Sequence, residues 1–465
     1  MLVKKPRVVI AATSSGTGKT TIVTGLLAVL KNRYFNVQSF KIGPDYIDPG
    51  FHKLASGRSS HNLDSWLVPE NLLPQVFLQE TEGTDIAIIE GVMGLYDGGR
   101  NGVSSTASIA KCLDAPIILV VSCKSAGESI AATILGFLEY DKSANIQGVI
   151  LNNLGSKSHG MLVREAVEKM GVKILGEIFK NDEISLPERH LGLTPIEEQV
   201  LQGKISKIKE TIEQSLDIEA ICELANSAPA MEEAKIKMAG TKYSVRIGVA
   251  MDEAFSFYYQ TSLETLKEKG AQLLPFSPLH DTALPDADGF FFGGGFPEMF
   301  AEKLSENHSI LAAIKTVAQK GVPIYAECGG FMYLSNSLID FSGKNFNMVG
   351  LIPGISKMQN KLQTVGYVRV QALTENILTD KVESLQGHEF HFSTFEPEKS
   401  ETFPWAFTFE KMRTGERYVG GYAKDNILAS YLHMNFLGEQ KAAAKFVEKC
   451  ALYRKNRGVD KWRVK

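Results

Sequence analysis

The sequence predicts an α/β protein with two α/β domains joined by a helical linker. In the first half of the chain, short runs rich in Val and Ile alternate with helical patterns. A charged stretch without strand patterns follows at 200–243, and a second alternation of strands and helices begins at 244. A chain of 465 residues is also too long to form a single domain, since domains usually contain about 100–200 residues. We therefore place the first domain at 1–225, the linker at 226–243 and the second domain at 244–465.

The predicted strands of the first domain are short and continuously apolar, as expected for a parallel sheet covered on both faces. They are RVVIAA at 7–12, DIAIIEG at 85–91, APIILVVS at 115–122 and NIQGVILNN at 145–153. The first is followed by a glycine-containing loop and the apolar helix TTIVTGLLAVLKN. Strands and helices in this order form βαβ units on a parallel sheet.

The second domain begins with a new strand, SVRIGVAMD at 244–252. The segment YYQTSLETLKEKGAQ at 258–272 has the apolar spacing of a helix with a glycine near its end. The runs GFFFGGG at 289–295 and VPIYAEC at 322–328 continue the alternation. This half of the chain is therefore also predicted to be α/β.

Composition excludes several classes of partner. The net charge is −3 and no basic run marks a nucleic-acid surface. No apolar run approaches the ~20 residues of a membrane span, and VVIAA near the N-terminus is too short for a signal sequence. The cysteines are scattered, which suits a reducing cytoplasm better than a disulfide framework or a CxxC metal site. They are Cys112, Cys123, Cys222, Cys328 and Cys450.

The segment SSGTGKTT at 14–21 lies between a strand and a helix, where a phosphate-binding loop belongs. Lys19 is predicted to reach the terminal phosphates of ATP, and Thr20 to offer its hydroxyl to Mg²⁺. The strict motif has a glycine where this chain has Thr13, so the alternative is a Gly/Ser turn before a helix. The predicted nucleotide-binding residues are Gly16, Thr17, Gly18, Lys19, Thr20 and Thr21.

Carboxylates follow the predicted strands at the edge where open α/β sheets bind ligands. Glu90 ends the strand DIAIIEG and, with Asp45, is a candidate ligand of Mg²⁺. An Asp in a Pro/Gly-rich loop is more often a turn-former than a ligand. Clustering at strand ends favours function for Asp45 and Glu90. The candidate substrate-facing residues are Asp45, Tyr46, Asp48, Asp64 and Asp97.

The segment VPIYAECGGFMYL at 322–334 reads as a strand, a tight turn carrying Cys328, and a helix. This is the layout of a nucleophile elbow, and a helix N-terminus is expected to favour the reactive thiolate. The N–H of Gly329, with those near Gly294 and Gly295, is predicted to form an oxyanion hole. The alternative is that Cys328 is a small buried apolar residue.

A cysteine nucleophile requires a base. His433 in ILASYLHMN follows a predicted strand and is the favoured candidate. His388 and His391 in GHEFHFS are the alternatives, and spacing alone does not choose among the three.

Taken in order, the motifs resemble those of the cobyrinate a,c-diamide synthases over nearly the whole chain. They are SSGTGKTT, FKIGPDYIDPGFH, NLDSW, IEGVMGLYDG, GGGFPE, YAECGGFMYL, GHEFHFS and SYLH. The resemblance implies an N-terminal P-loop domain similar to dethiobiotin synthetase and a C-terminal class I glutamine amidotransferase domain.

The resemblance also implies a reaction. Cys328 would release ammonia from glutamine, and the N-terminal site would phosphorylate a carboxylate with MgATP. Ammonia would then displace phosphate and leave an amide on the a and c acetate side chains of a corrinoid, a tetrapyrrole. Many class I amidotransferases place Glu two residues after the catalytic His, but this chain has Asn435 there. The resemblance therefore leaves open which residue, if any, acts as the third member of the site beside Cys328 and His433.

Three alternatives remain beside this reading. A Ni-sirohydrochlorin a,c-diamide synthase has similar motifs. A cobyric acid synthase matches KIGPDYIDPGFH and NLDSW less well. A P-loop regulatory ATPase with a non-catalytic C-terminal domain is a different class, which the pair Cys328 and His433 argues against. The sequence leaves open whether the chain forms a homodimer.

Overall fold

A computed structural model describes residues 1–186, 198–233 and 243–463. These residues divide into two compact units, one containing residues 1–186 and 198–233 and the other containing residues 243–463. The predicted linker at 226–243 lies partly outside the described residues, at 234–242.

The first unit is built on a seven-stranded sheet in which every pairing is parallel. This confirms the parallel sheet predicted from the continuous apolar runs. The strands of the unit are β1 (Leu2–Val3), β2 (Arg7–Ala12), β3 (Val37–Ile42), β4 (His61–Leu63), β5 (Ile86–Glu90), β6 (Ile117–Ser122), β7 (Ile146–Leu154), β8 (Ile174–Phe179) and β9 (Met231–Glu232). The order in the large sheet is β4-β3-β5-β2-β6-β7-β8.

The helices of this unit are α1 (Lys19–Asn32), α2 (Asp48–Ser56), α3 (Leu73–Glu80), α4 (Thr106–Cys112), α5 (Ser129–Tyr140), α6 (Lys157–Glu168), α7 (Glu198–Ser215) and α8 (Ile218–Ser227). Helices α1 to α6 lie between strands of the parallel sheet, and α7 and α8 follow its last strand in the chain. Single 3₁₀ turns lie at Glu70–Leu72, Arg100–Gly102 and Asp182–Ile184. The core contains the side chains of β2 and α1 together with isoleucines of α7.

The expectation that 200–243 contains no strand is wrong at Met231–Glu232. These residues form β9, which pairs antiparallel with β1 at the N-terminus. The side chains of Lys4 and Arg7 hold the preceding segment by donating to the carbonyl oxygens of Ala228 and Pro229. A two-residue strand fixed by such distant contacts leaves no periodic pattern in the sequence.

The second unit contains a mixed sheet of nine strands and a smaller sheet of four. The strands are β10 (Val245–Ala250), β11 (Ala271–Phe276), β12 (Gly289–Phe292), β13 (Ile324–Glu327), β14 (Ser335–Ile339), β15 (Asn345–Asn347), β16 (Ile352–Met358), β17 (Thr364–Ala372), β18 (Ser384–His391), β19 (Ser393–Pro397), β20 (Trp405–Lys411), β21 (Arg417–Lys424) and β22 (Ile427–Ser430). The order of the large sheet is β11-β10-β12-β13-β22-β21-β20-β17-β18. It is parallel from β11 to β22 and antiparallel from β22 to β18.

The helices of the second unit are α9 (Gln260–Glu268), α10 (Ala301–Glu306), α11 (His308–Gln319), α12 (Gly329–Leu334) and α13 (Gln440–Arg463). Single 3₁₀ turns lie at Pro297–Phe300 and Ser400–Thr402. The helix predicted at 258–272 is shorter than expected, because Gly270 has φ 100° and Ala271 begins β11. Among the described residues, no helix has the length and apolar character required to span a membrane.

Close packing between α1 and α7 depends on Gly25. A Cβ atom at Gly25 would overlap Cγ1 of Ile212 and lie 2.9 Å from Cγ2 of Ile208. Both isoleucines are fully buried in the core of the unit. The glycine therefore lets isoleucine side chains of α7 lie directly against the backbone of α1.

Replacing Gly25 with Ala is expected to lower the free energy of unfolding of the first unit by about 1–3 kcal/mol, since added volume in a filled core forces its neighbours apart. Urea denaturation followed by circular dichroism measures the change. The matched control is Gly203→Ala on α7, where a Cβ atom meets nothing within 4 Å. That control is expected to stabilise the helix by about 0.5–1 kcal/mol. Equal effects of the two substitutions would contradict the packing argument.

Candidate active sites

The loop between β2 and α1 has a backbone suited to binding an anion. Gly16 and Gly18 have φ angles of 74° and 90°, in the left-handed region that favours glycine. A Cβ atom at Gly18 would lie 2.5 Å from Nδ2 of Asn152. That amide donates a hydrogen bond of 2.7 Å to the carbonyl oxygen of Thr17. Because α1 begins at Lys19, the N–H groups of its first turn open onto the loop.

Lys19 connects this loop to the loop after β5. Its Nζ donates to the carbonyl oxygen of Met93 at 2.5 Å and lies 3.5 Å from that of Ser14. Oγ1 of Thr17 donates to the same Ser14 carbonyl at 3.1 Å. Thr21, also predicted to bind nucleotide, lies half-buried in the first turn of α1. The predicted nucleotide-binding residues thus lie together at one end of the parallel sheet.

A buried cation lies among the carboxylates at this end of the sheet. The parallel pairing of β3 with β5 sets Lys41 opposite Glu90. Nζ of Lys41 lies 2.6 Å from Oδ2 of Asp48, 2.8 Å from Oε1 of Glu90 and 3.9 Å from Oδ2 of Asp45. Oγ1 of Thr20 donates to Glu90 at 2.8 Å and to Asp48 at 3.3 Å. The structure therefore brings Thr20, Asp45, Asp48 and Glu90 together.

The charges in this cluster shift one another's pKa values. Burial alone would raise the pKa of Glu90, but Lys41 and His52 outweigh it and hold that pKa well below its usual range. For Asp48, burial outweighs Lys41 and raises the pKa, with Glu90 adding to the rise. Burial would lower the pKa of Lys41, but Glu90 and Asp48 raise it. The lysine is thus held charged by two carboxylates.

Two residues of this cluster were not predicted from the sequence. Lys41 is one, and His52 is the other: its Nε2 lies 2.6 Å from Oε2 of Glu90 and its Nδ1 lies 3.2 Å from Oγ of Ser60. Both lie in the segment KIGPDYIDPGFH. Two features of the sequence could have indicated them. A lysine inside a buried strand needs a charged partner, and a histidine one helical turn after Asp48 lies on the same face of the helix.

The remaining predicted carboxylates accept hydrogen bonds from loop backbones. Oδ1 of Asp45 accepts from the N–H groups of Ile47 and Asp48, at the start of α2. Oδ1 of Asp64 accepts from the N–H groups of Trp66 and Leu67 and from Oγ of Ser104. Asp97 is exposed, and its carboxylate accepts a hydrogen bond from the N–H of Gly94. Tyr46 is half-buried beside Asp45 in the chain. These hydrogen bonds stabilise turns in the loops, which is a common structural role of Asp in such segments.

The chemistry of the cluster fits a magnesium ion. Thr20 offers a hydroxyl oxygen, and Glu90 and Asp48 offer carboxylate oxygens beside the phosphate-binding loop. Oxygen ligands of this kind are those that Mg²⁺ prefers. Lys41 already balances part of the negative charge, and Asp45 adds a further carboxylate at its edge.

Cys328 lies at a strained turn between β13 and α12. Its φ and ψ are 44° and −98°, a region that residues with a Cβ atom rarely adopt. Its N–H donates a hydrogen bond of 2.7 Å to the carbonyl oxygen of Ser430 at the end of β22. This is the strand, turn and helix arrangement predicted for a nucleophile elbow.

Two glycine turns meet at Cys328. A Cβ atom at Gly329 would lie 3.0 Å from the backbone nitrogen of Gly295, and one at Gly294 would lie 2.6 Å from Cε1 of His433. A Cβ atom at Gly295 would overlap the carbonyl oxygen of Ala254. The absence of side chains at these glycines therefore lets the two turns pack against each other and lets His433 lie against Gly294.

His433 lies between a second histidine and a carboxylate. Its ring stacks on that of His388, with centroids 4.9 Å apart and planes 14° apart, and their backbones exchange two hydrogen bonds of 2.9 Å. Nδ1 of His433 lies 3.6 Å from Oε2 of Glu327, the residue before the cysteine. Nε2 of His388 lies 2.6 Å from Oη of Tyr259. Burial and the neighbouring His433 hold the pKa of His388 well below its usual value.

His391 has a different environment. Its ring stacks on Tyr431 with centroids 3.9 Å apart. Its Nδ1–H donates a hydrogen bond of 2.8 Å to the carbonyl oxygen of Ser393, and its Nε2 lies 3.6 Å from Oε1 of Glu389. The structure thus sets His433, of the three candidates, beside Gly294 of the predicted oxyanion hole.

The pKa of the Cys328 thiol is shifted in the direction opposite to the one expected from the helix N-terminus. Burial raises this pKa well above its usual value, and the carboxylates of Glu298, Glu327 and Glu389 raise it further. The N–H of Gly329 lowers it by less. Burial and these carboxylates together outweigh the effect of the helix terminus, so the thiol keeps its proton until a base takes it.

Comparison with known proteins matches both units to families. Residues 8–193 match the family described as CobQ/CobB/MinD/ParA nucleotide binding domain. Residues 246–441 match the family described as CobB/CobQ-like glutamine amidotransferase domain.

The chain is also similar to curated proteins along almost its whole length. It is 44% identical over 452 residues to a cobyrinate a,c-diamide synthase of Dehalococcoides mccartyi, covering 95% of this chain and 97% of that protein. It is 42% identical over 450 residues to that of Caldanaerobacter subterraneus, covering 96% and 98%. With the one from Listeria innocua it shares 43% identity over 440 residues, covering 92% and 96%.

Lys41→Met is expected to lower the free energy of unfolding of the first unit by about 3–5 kcal/mol, because it leaves buried carboxylates without their cation. The loss should be larger at pH 8 than at pH 5, because protonation relieves carboxylates whose pKa values rise once the cation is removed. Urea denaturation at both pH values measures it. The matched control is Lys111→Met, which breaks the exposed pair with Asp141 and should cost about 0–1 kcal/mol. A similar small loss in both variants would refute the charge balance described for the cluster.

Glu298→Gln is expected to speed the alkylation of Cys328 several-fold at pH 8 and to leave it nearly unchanged at pH 6. Burial raises the pKa of Glu298 to about 7, so its charge opposes the thiolate only above that pH. Mass spectrometry of iodoacetamide-treated protein gives the rate at Cys328. Cys222, in the other unit, is the internal reference. Identical rates in wild type and variant at pH 8 would show that Glu298 does not act on the thiol.

Proposed function

Because the chain belongs to the family of cobyrinate a,c-diamide synthases, we propose that it converts the a and c acetate carboxylates of cobyrinate to carboxamides, with ATP and glutamine as co-substrates. One observation carries the proposal. A single chain combines a phosphate-binding loop beside Glu90 with a strained cysteine turn beside His433. The first set of residues suits activation of a carboxylate, and the second suits release of ammonia from glutamine.

Amidation requires activation because a carboxylate is a poor acyl donor whose leaving group would be oxide. In the proposed reaction, the carboxylate oxygen attacks the γ-phosphorus of ATP, ADP leaves, and an acyl phosphate forms. Ammonia then adds to the acyl carbon and phosphate leaves. The loop N–H groups and Lys19 hold the phosphates and stabilise charge on the transferring group. Asp45 and Asp48 are proposed to face that group or the acceptor carboxylate, and their ion pairs with Lys41 would reduce the repulsion.

Thr20, Glu90 and Asp48 are the residues that would hold Mg²⁺, which neutralises charge on the transferring phosphoryl group. His52 and Lys41 fix the carboxylate of Glu90 by contacts to both of its oxygens.

The free cysteines support a reducing cytoplasm as the compartment.

Ammonia comes from glutamine in the second unit. Sγ of Cys328 bonds to the side-chain amide carbon while its proton passes to His433, and the oxyanion faces the N–H groups of Gly294, Gly295 and Gly329. The proton then passes to the amide nitrogen, the C–N bond breaks and ammonia leaves. Water hydrolyses the remaining glutamyl thioester, releasing glutamate and restoring the thiol.

Relatives favour cobyrinate over a nickel tetrapyrrole as the substrate. The three proteins compared above are all named cobyrinate a,c-diamide synthases. The match of residues 246–441 to a glutamine amidotransferase domain also favours an enzyme over a regulatory ATPase.

Incubation of the full chain with ATP, Mg²⁺ and amide-¹⁵N glutamine tests the proposal. Cobyrinate and Ni-sirohydrochlorin are supplied in separate reactions, and mass spectrometry follows the products. A doubly labelled diamide of cobyrinate, dependent on ATP, is the expected result. A diamide formed from the nickel compound alone would move the assignment to that substrate. ATP hydrolysis without glutamate release or amidation would instead support a regulatory ATPase.

Cys328→Ala is expected to lower glutamine-dependent amidation on the order of 10⁴-fold or more, by analogy with loss of a nucleophile in hydrolases. Free ammonia at high concentration and raised pH should restore amidation, because the acyl phosphate needs only an unprotonated amine. Product formation with each nitrogen source is measured. A variant that is still active with glutamine would make Cys328 a structural thiol. A folded variant that is inactive with ammonia would place Cys328 in the amidation step.

The reciprocal control is Lys19→Ala. It removes the cation that faces the phosphates, so amidation should be lost with either nitrogen source. Glutamate release by the second unit should persist. Near-normal amidation in Lys19→Ala would exclude the segment at 14–21 as the nucleotide site.

A further inference from the structure

His433 has an acidic neighbour that lies far from it in the sequence. Oε2 of Glu327 lies 3.6 Å from Nδ1 of His433, and the two side chains are 4% and 2% exposed. The other carboxylate oxygen accepts a hydrogen bond of 2.7 Å from Oη of Tyr325. The carboxylate is therefore anchored through one oxygen while the other faces the imidazole.

The residue two positions after His433 has other partners. Nδ2 of Asn435 donates a hydrogen bond of 2.9 Å to Oγ1 of Thr261, and its Oδ1 accepts one of 3.0 Å from the N–H of Leu437. These bonds join the loop after β22 to α9 and to its own backbone. A neutral amide also offers no charge to stabilise an imidazolium. Asn435 therefore has a structural role that Glu at this position would not share.

The strand pairing that positions the nucleophile also positions Glu327. The parallel register of β13 with β22 sets Glu327 opposite Ser430. Cys328 follows Glu327 and donates its N–H to the Ser430 carbonyl, while His433 continues the chain shortly after Ser430. Glu327 and Cys328 thus lie at the end of β13, and the loop after the neighbouring strand β22 carries His433.

The stacking of His388 limits how the ring of His433 can turn. The two rings are nearly parallel, at 14°, and their backbones are joined by two hydrogen bonds. A ring covered on its face presents its nitrogen atoms only at its edge. The stack therefore fixes the plane of the ring, and the orientation within that plane sets Nδ1 beside Glu327.

We propose that Glu327 is the positioning residue for His433 in glutamine hydrolysis, an inference that rests on the proposed function. The carboxylate holds the imidazole proton on Nδ1, so the lone pair of Nε2 is left for the thiol. When the Cys328 proton passes to Nε2, the imidazolium is paired with Glu327. The same proton then leaves with ammonia, and the pair returns to its first state. The 3.6 Å separation is expected to shorten as the charge forms.

Glu327→Gln tests this inference, because the amide keeps the size of the side chain and removes its charge. Glutamate release by the full chain is expected to fall in kcat on the order of 100-fold or more, with KM for glutamine nearly unchanged. Loss of the carboxylate removes the partner of the imidazolium, so the acid limb of the pH profile should move to lower pH. The matched control is Glu396→Gln, an exposed carboxylate of the same unit, which should behave like the wild type.

A double-mutant cycle separates positioning from a general structural effect. In a His433→Ala background, Glu327→Gln should cause no further loss, because the carboxylate acts through the imidazole. A loss that persists in that background, or a kcat and acid limb equal to the wild type, would overturn the inference. If Glu327→Gln does not fold, Tyr325→Phe frees the same carboxylate. Its loss of kcat should likewise vanish in the His433→Ala background, and a persisting loss overturns the inference.

Failure of the inference is distinguishable from failure of the proposed function. Wild-type protein that releases no glutamate from glutamine would refute the function itself. Wild-type release matched by Glu327→Gln would refute only the role of Glu327. Ammonia-dependent amidation by Glu327→Gln should persist, and its loss alongside glutamate release would assign the defect to the structure of the protein and overturn the positioning role.

Discussion

In both units, the reactive side chains depend on the register of parallel strands at their carboxyl ends. In the first unit, pairing of β3 with β5 sets Lys41 opposite Glu90. In the second, pairing of β13 with β22 sets Glu327 opposite Ser430 and fixes the turn at Cys328. A shift of one residue in either register would turn these side chains to the other face of the sheet. The buried helices and cores on both faces hold the registers in place.

The two sites handle buried charge in opposite ways. In the first unit a buried lysine lies among carboxylates and balances part of their mutual repulsion. In the second unit, burial raises the pKa of the Cys328 thiol and nearby carboxylates raise it further. A protonated thiol is a weak nucleophile and reacts slowly with oxidants. A thiol that keeps its proton depends on a base to react, and His433 is the residue proposed for that role.

Local patterns predicted the strands and turns of the sites well. Continuous apolar runs predicted the parallel sheet of the first unit, and the order of strand, glycine-rich loop and helix predicted the loop before Lys19. The same kind of pattern predicted the turn at Cys328. The antiparallel strands β17, β18, β20 and β21 were not predicted, because they mix buried residues with partly or fully exposed ones and lack the continuous apolar runs of the parallel strands.

By itself, the sequence determined the fold class, the family resemblance and the residue types at the two sites, since these depend on short segments and their order. Only the tertiary structure decided which charges meet. Lys41 and Glu90 come from different strands, and Glu327 ends β13 whereas His433 lies in the loop after β22. It also decided the direction of the thiol pKa, which the helix terminus alone predicts wrongly. Contact and burial are set by strand register and packing, and neither is encoded in the spacing of residues within one segment.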